Sequence, residues 1–251
     1  MTSYLQYKKA FVLLSGGVDS TTTLAKAIED LGSAKKVIAV SINYGQRHNI
    51  EIERAARMAL HYDVEHRILD VASALGNSML TDSDQQIPDI SYAEIQGISP
   101  TYVPFRNGFM LARLAAEAQN YVNEVFHDIN SSSPVAEAAL EDLKDLVWLY
   151  FGAHAEDSAN WAYPDCTPEF VGAMANAIYI GTYQAVRLLT PFNYNTKAEI
   201  IAAGVRLGVP YHLTWSCYAG GEKHCGVCPT CRARKEAFKL APAYDPTEYN
   251  V

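Results

Sequence analysis

Between an apolar run, Phe11–Leu14, and a stretch of helical spacing, Thr21–Leu31, lies the hexapeptide Ser15-Gly16-Gly17-Val18-Asp19-Ser20. Two glycines there let the backbone approach phosphate oxygens closely. The amide N–H groups and the start of the following helix then favour negative charge. Ser15 and Ser20 add hydroxyl donors, and Asp19 can cap the helix or help hold a divalent cation. The loop lacks the Gly-Lys-Ser/Thr ending of a Walker loop and the spacing of a dinucleotide fingerprint. A plain strand–turn–helix connection is the bland alternative. The placement of the whole hexapeptide favours a phosphate loop, with Leu14, Ser15, Gly16, Gly17, Val18, Asp19, Ser20 and Thr21 as the nucleotide-binding candidates.

Cys217, Cys225, Cys228 and Cys231 follow the pattern C-x7-C-x2-C-x2-C. Four thiolates so spaced suit a closed tetrahedral zinc site, and such a site leaves no open position for chemistry. An iron–sulfur cluster or a patch of reduced thiols are the rival readings. Nearby Lys223, Arg232, Arg234 and Lys235 could offset the charge of a tetrathiolate centre. Cys166 stands apart and reads as a small core residue more readily than as a nucleophile.

Four further stretches carry reactive side chains. Tyr44 and Gln46, in Tyr44-Gly45-Gln46-Arg47-His48, leave the second predicted strand, where ligands of a doubly wound sheet bind. Arg106 and Asn107 stand at a helix entrance. Arg106 could grip a phosphate or carboxylate in a bidentate manner, and Asn107 could be a simple N-cap. Glu156 and Asp157, in Gly152-Ala-His154-Ala-Glu156-Asp157, could recognise a base edge or a cation, or line a polar loop. Thr196 and Glu199 fit a capping box, which leaves Lys197 free to reach phosphates.

The elements that must position these groups alternate. Strands at 11–14, 37–42 and 64–69 enclose helices at 21–31 and 50–61. This order predicts an α/β fold with a doubly wound, Rossmann-like parallel sheet. Residues 73–104 read as a long functional excursion. A helix is expected over 107–118, and residues 127–146 look inserted. Within them, 127–134 reads as a turn and 135–146 as an acidic amphipathic helix. A strand at 147–152 and helices at 168–180 and 196–207 follow. The division expected is an α/β nucleotide-binding domain at 1–212 and a metal-binding segment at 213–251 packed on it. The last ten residues read as a loose tail.

A chain of 251 residues that is 49% apolar can bury a large core. Its net charge of -8 opposes a stable complex with nucleic acid, which needs a basic footprint. Neither a secretory leader nor a membrane span is visible, so the cytoplasm is the expected location.

The hexapeptide resembles the signature of the PP-loop ATP pyrophosphatases, the adenine nucleotide alpha hydrolase-like group. That resemblance implies cleavage of ATP between its α and β phosphates. Taken together, SGGVDST (15–21), YGQRH (44–48), TYVPFRN (101–107), GAHAED (152–157), YPDC (163–166), TKAEI (196–200) and TWSCYAGGEKHCGVCPTC (214–231) resemble the 7-cyano-7-deazaguanine synthases over nearly the whole chain. The resemblance implies a carbon–nitrogen ligase of queuosine biosynthesis, using ATP, Mg²⁺ and a structural Zn²⁺. Its substrates would be 7-carboxy-7-deazaguanine and ammonia, and its assembly a homodimer. Arg106, Asp157 and Lys197 would then be catalytic. Arg106, Asn107, His154, Glu156, Asp157, Tyr163 and Asp165 would bind the substrate. A relative that stops at the amide, a PP-loop adenylase acting on tRNA, and a non-catalytic nucleotide-binding zinc module remain as alternatives.

Overall fold

The computed structural model describes residues 4–46, 49–71, 75, 78–81, 87, 89–91, 94, 97–132, 139–158 and 161–251. Five strands form one parallel sheet: β1 (Lys9–Leu13), β2 (Val37–Asn43), β3 (Glu65–Asp70), β4 (Val147–Tyr150) and β5 (Val186–Leu189). Their order is β3-β2-β1-β4-β5. The chain winds outward from β1 to β3 and then returns to β1's other side. A crevice therefore opens between the ends of β1 and β4, the switch point where open α/β sheets bind ligands.

Alternation along β1 shows why the sheet needs two helical layers. Phe11 and Leu13 face a cluster with Leu111, Leu114, Ala118 and Val122 of α3 (Arg106–Ser132) and Val171 and Ile178 of α4 (Pro168–Gly181). Ala10, Val12 and Leu14 face the other side. There they meet Leu24 and Ala27 of α1 (Val18–Leu31) and Ala55, Met58 and Ala59 of α2 (Ile50–His61). Each face is apolar at every second residue, so each must be covered. A further layer lies outside α1, where Val18 and Ala25 pack on Ile201 of α5 (Lys197–Arg206) and Phe238 of α6 (Pro229–Leu240). At Gly204 a Cβ would overlap the Tyr211 hydroxyl, so α5 needs glycine there to close on that ring.

Several sequence expectations are corrected. Residues 127–132 are not a turn. They continue α3, because Val125, Phe126 and Ile129 keep the helix's apolar face on the core and outweigh the turn preference of Asp128 and Asn130. The helix expected over 135–146 is absent from its described part. Leu140–Leu143 is a single 3₁₀ turn with Leu143 buried, and the chain then runs into β4; 135–138 lie outside the described residues. β4 ends at Tyr150 rather than Gly152. The strand β5 has no counterpart in the sequence reading. The C-terminal tail is not loose. Tyr249 OH donates to Asp245 Oδ2 (2.6 Å), and Asn250 N donates to the His224 carbonyl (2.8 Å). Parts of the excursion at 73–104 lie outside the described residues, and 97–104 contains neither α-helix nor strand.

Candidate active site

The phosphate loop leaves β1 and turns at Gly16, which has a φ of +78°. A Cβ there would lie 2.7 Å from the Ala55 nitrogen of α2, so both the backbone and the space demand glycine. Ser15 Oγ and Ser20 Oγ are 3.0 Å apart, and Gly17 N donates to Ser15 Oγ (3.4 Å). Gly17 is the N-cap of α1 and supplies no side-chain cap. The first N–H groups of a 14-residue helix thus open toward the cleft without an acceptor of their own, an arrangement suited to an anion.

Beside the loop lies a dense charge cluster. Lys197, the first residue of α5, is buried, with Nζ 3.2 Å from Asp19 Oδ2. His154 is also buried. Its Nε2 lies 3.2 Å from Asp157 Oδ2 and 3.6 Å from Asp19 Oδ2, contacts that are electrostatic without hydrogen-bond alignment. Burial opposes ionisation of Asp19, but Lys197 and His154 outweigh it and hold the carboxyl below its ordinary range. Burial likewise disfavours the Lys197 ammonium, yet Asp19, Asp157 and Glu156 reverse that and hold it above its ordinary value. Glu156 Oε1 accepts from Lys197 N (3.2 Å), and Thr196 and Glu199 close a capping box. Three acceptors from two segments therefore fix where Lys197 emerges.

The opposite pole is built on Arg106, the first residue of α3. Its Nη1 donates to Tyr44 OH (3.3 Å), and its guanidinium lies over the Tyr44 ring, 5.4 Å from the centroid. Burial pushes the Tyr44 phenol up to about 12, with Glu51 adding to the shift, so the ring stays neutral. Gln46 folds back, its Oε1 accepting from Tyr44 N (2.9 Å). Arg47 and His48 lie outside the described residues.

Asn107 is not an N-cap. Its backbone N–H donates to Asp165 Oδ2 (3.0 Å), so α3 is capped by a carboxylate from a distant turn. The Asn107 side-chain amide donates to Cys166 Sγ (3.1 Å). Burial, together with the nearby Asp157 and Asp165, pushes the Cys166 thiol well up, which fits a neutral packing residue rather than a nucleophile. Tyr163 OH and Thr101 Oγ1 are 2.6 Å apart, which anchors the turn to the end of the excursion.

The cysteine segment supplies one wall of the cleft. The four sulfurs of Cys217, Cys225, Cys228 and Cys231 all lie within 4.8 Å of one another. That spacing can surround one ion. Cys217 Sγ accepts from Cys225 N and Cys225 Sγ from Cys228 N, both at 3.3 Å, as thiolate ligands commonly do. The basic residues expected to offset the thiolates are engaged elsewhere. Arg234 bonds to Thr214, Ser216, Tyr211 and Asp245, Lys235 to the Val251 carbonyl, and Lys223 to Glu248. Trp215 N donates to the Gly16 carbonyl (2.9 Å), and Trp215, Ser216, Tyr218 and Thr230 line the cleft.

Of the sequence candidates, the cleft lining brings together Leu14, Ser15, Gly17, Val18, Asp19, Ser20, Tyr44, Gln46, Arg106, Asn107, Asp157 and Lys197. Gly16, Thr21, His154, Glu156, Tyr163 and Asp165 stand behind that lining, where they hold the loop, the charge cluster and the start of α3. Sequence reading missed Glu51, Met110, Phe151 and the cysteine-segment wall. Only the first had a signal, an acidic residue at a helix start that helix spacing alone already explained.

Replacing Lys197 with Met strands Asp19 without its closest counter-charge. A loss of about 3–5 kcal/mol is expected at pH 7. Asp19, with its carboxyl depressed in the folded protein, contributes stability that persists above the ordinary carboxylate range and is lost as pH falls through the depressed value. In Lys197→Met the carboxyl is raised instead and becomes neutral on mild acidification. Urea unfolding should therefore show the deficit narrowing from pH 7 to pH 4; a constant deficit would refute the pairing.

Comparison with known proteins follows the same residues. The family model described as "Queuosine biosynthesis protein QueC" matches residues 9–135 and 135–242. The chain is 41% identical to the 7-cyano-7-deazaguanine synthase of Thermoplasma acidophilum, covering 98% of this chain and 93% of that protein. It is 38% identical to that of Pseudoalteromonas atlantica, over 96% and 99%. With the match running from β1 and its phosphate loop through the cysteine segment to α6, the chain belongs to the QueC family of queuosine biosynthesis proteins.

Proposed function

We propose that this chain converts 7-carboxy-7-deazaguanine to 7-cyano-7-deazaguanine with ATP and ammonia. The observation that carries the reading is the convergence of the uncapped α1 N-terminus, Lys197 and Arg106 on one cleft. A carboxylate is inert to ammonia because oxide is a poor leaving group. Attack of its oxygen on the α-phosphorus of ATP expels pyrophosphate and leaves an acyl adenylate. Ammonia adds at the acyl carbon and AMP departs, giving the amide. A second adenylation, on the amide oxygen, releases pyrophosphate and one nitrogen proton; loss of AMP and the remaining nitrogen proton then gives the nitrile.

In this reading the loop N–H groups, Ser15 and Ser20 hold the phosphates, and Lys197 meets the charge that develops on pyrophosphate. Arg106 orients the substrate carboxylate. Asp157, beside His154, accepts a proton from ammonium, since only free ammonia is nucleophilic. Mg²⁺, held with help from Asp19, would add charge neutralisation at the phosphates. The four cysteines would hold Zn²⁺, whose role is to fix the fold of the segment.

No helix among the described residues is long and apolar enough to cross a membrane. A cytoplasmic homodimer completes the reading, supported by the family resemblance; sedimentation as a monomer would remove the dimer. The -8 charge keeps the tRNA-directed alternative in second place.

Incubation with ATP, ammonia and the 7-carboxy substrate, followed by mass spectrometry, should reveal the nitrile. Accumulation of amide alone would favour the shortened pathway, and absence of turnover a nucleotide-binding module. In the same assay Asp157→Asn should slow ammonia-dependent turnover about 10²-fold or more, and unchanged turnover would end its role as base.

Purified protein should contain one zinc per chain. Chelation should weaken ATP binding as well as lower the unfolding temperature, because Trp215 hydrogen-bonds the phosphate loop directly. Metal loss with unaltered ATP affinity would separate the two sites.

A further inference from the structure

Among the described residues, three carboxylates line the cleft: Asp19, Asp157 and Glu51. Two are committed, Asp19 to Lys197 and His154, and Asp157 to His154. Glu51, in the first turn of α2, has no hydrogen bond or ion pair among the described residues, although Arg106 lies close enough to act on it electrostatically. Arg106 is itself tied to Tyr44 OH. A helix-dipole role explains an acid at this turn, but Glu53 in the same turn is exposed and serves that purpose without cost. Nothing in the helix requires that Glu51 be partly buried and turned to the cleft.

The surroundings suit a flat bicyclic ring. Ile42, Ile52, Met110 and Phe151 give apolar walls, and Tyr44 adds an aromatic one. The two bases that enter the reaction differ in their edges. Adenine presents one amino donor next to a ring acceptor, which repels one oxygen of a carboxylate. A guanine-type ring presents a ring N–H beside an exocyclic amino group, two parallel donors that match both oxygens of an acceptor-only group.

We infer that Glu51 is the specificity-determining residue that reads the guanine-type edge of the substrate, accepting the ring N–H and the 2-amino N–H on its two oxygens. This rests on the substrate proposed above. Burial holds the free carboxyl above its ordinary range despite Arg106, and the arrival of two donors relieves that cost.

The test uses the intact, metal-loaded enzyme and steady-state kinetics on two acids, 7-carboxy-7-deazaguanine and its analogue lacking the 2-amino group. Wild-type enzyme should prefer the full substrate by a large factor. Glu51→Gln keeps the shape but sets an amide N–H against one donor. It should raise KM for the full substrate by roughly ten- to a hundredfold, leave KM for ATP within about twofold, and shrink the preference over the analogue. An undiminished preference, or a rise confined to the ATP KM, overturns the assignment. Wild-type enzyme that converts neither acid would instead overturn the proposed function, so the two failures are distinguishable.

Discussion

One hydrogen bond, from the Trp215 amide to the Gly16 carbonyl, joins the two ends of the site. Gly16 is already confined, with its φ positive and α2 pressed against its Cα. The bond to Trp215 holds its carbonyl from the other side. Trp215 is in turn held by its indole N–H on the Cys217 carbonyl (2.8 Å) and by His224 against its ring. Through these contacts the four-cysteine segment helps set the position of the glycine loop that opens α1. Rigid backbone donors aimed at a fixed point are what electrostatic stabilisation of a departing pyrophosphate requires, because they pay no reorganisation when charge develops.

The charge cluster shows the same economy. A chain of close charge contacts runs from Lys197 to Asp19, from Asp19 to His154 and from His154 to Asp157. Isolated, Asp19 and Lys197 would each resist ionisation in such a setting; paired, they keep one another charged. The Asp19 Oδ1 atom is buried without a hydrogen-bond partner among the described residues, which fits a group built to receive a cation or phosphate-linked donor from outside the chain.

Much of this was legible in the chain. The hexapeptide, the cysteine spacing and the alternation of elements depend on local rules, and they led directly to the loop, the four-sulfur cluster and a parallel sheet. The rest depended on tertiary placement. Val186–Leu189 is only four residues long and contains an exposed arginine, so no periodicity marks it as an edge strand. His127–Ser132 carries turn-forming residues that core packing overrides. Ser216, Tyr218 and Thr230 reach the cleft only because the cysteine segment folds back across it. Tyr163 and Asp165 belong to a family motif, but their side chains secure the entrance of α3 rather than line the cleft.

The cap on α3 has a kinetic consequence. Asp165 is 58 residues from the amide it satisfies, and Arg106 begins the same helix turn. A helix entrance completed from so far along the chain carries a loop-closure cost that local capping avoids. The core of α3 can form early on β1, whereas its first turn must wait for the 163–166 segment to dock. The placement of Arg106 is thus coupled to the docking of the 163–166 segment. Amide hydrogen exchange at the start of α3 would then report on substrate-site assembly rather than on global unfolding.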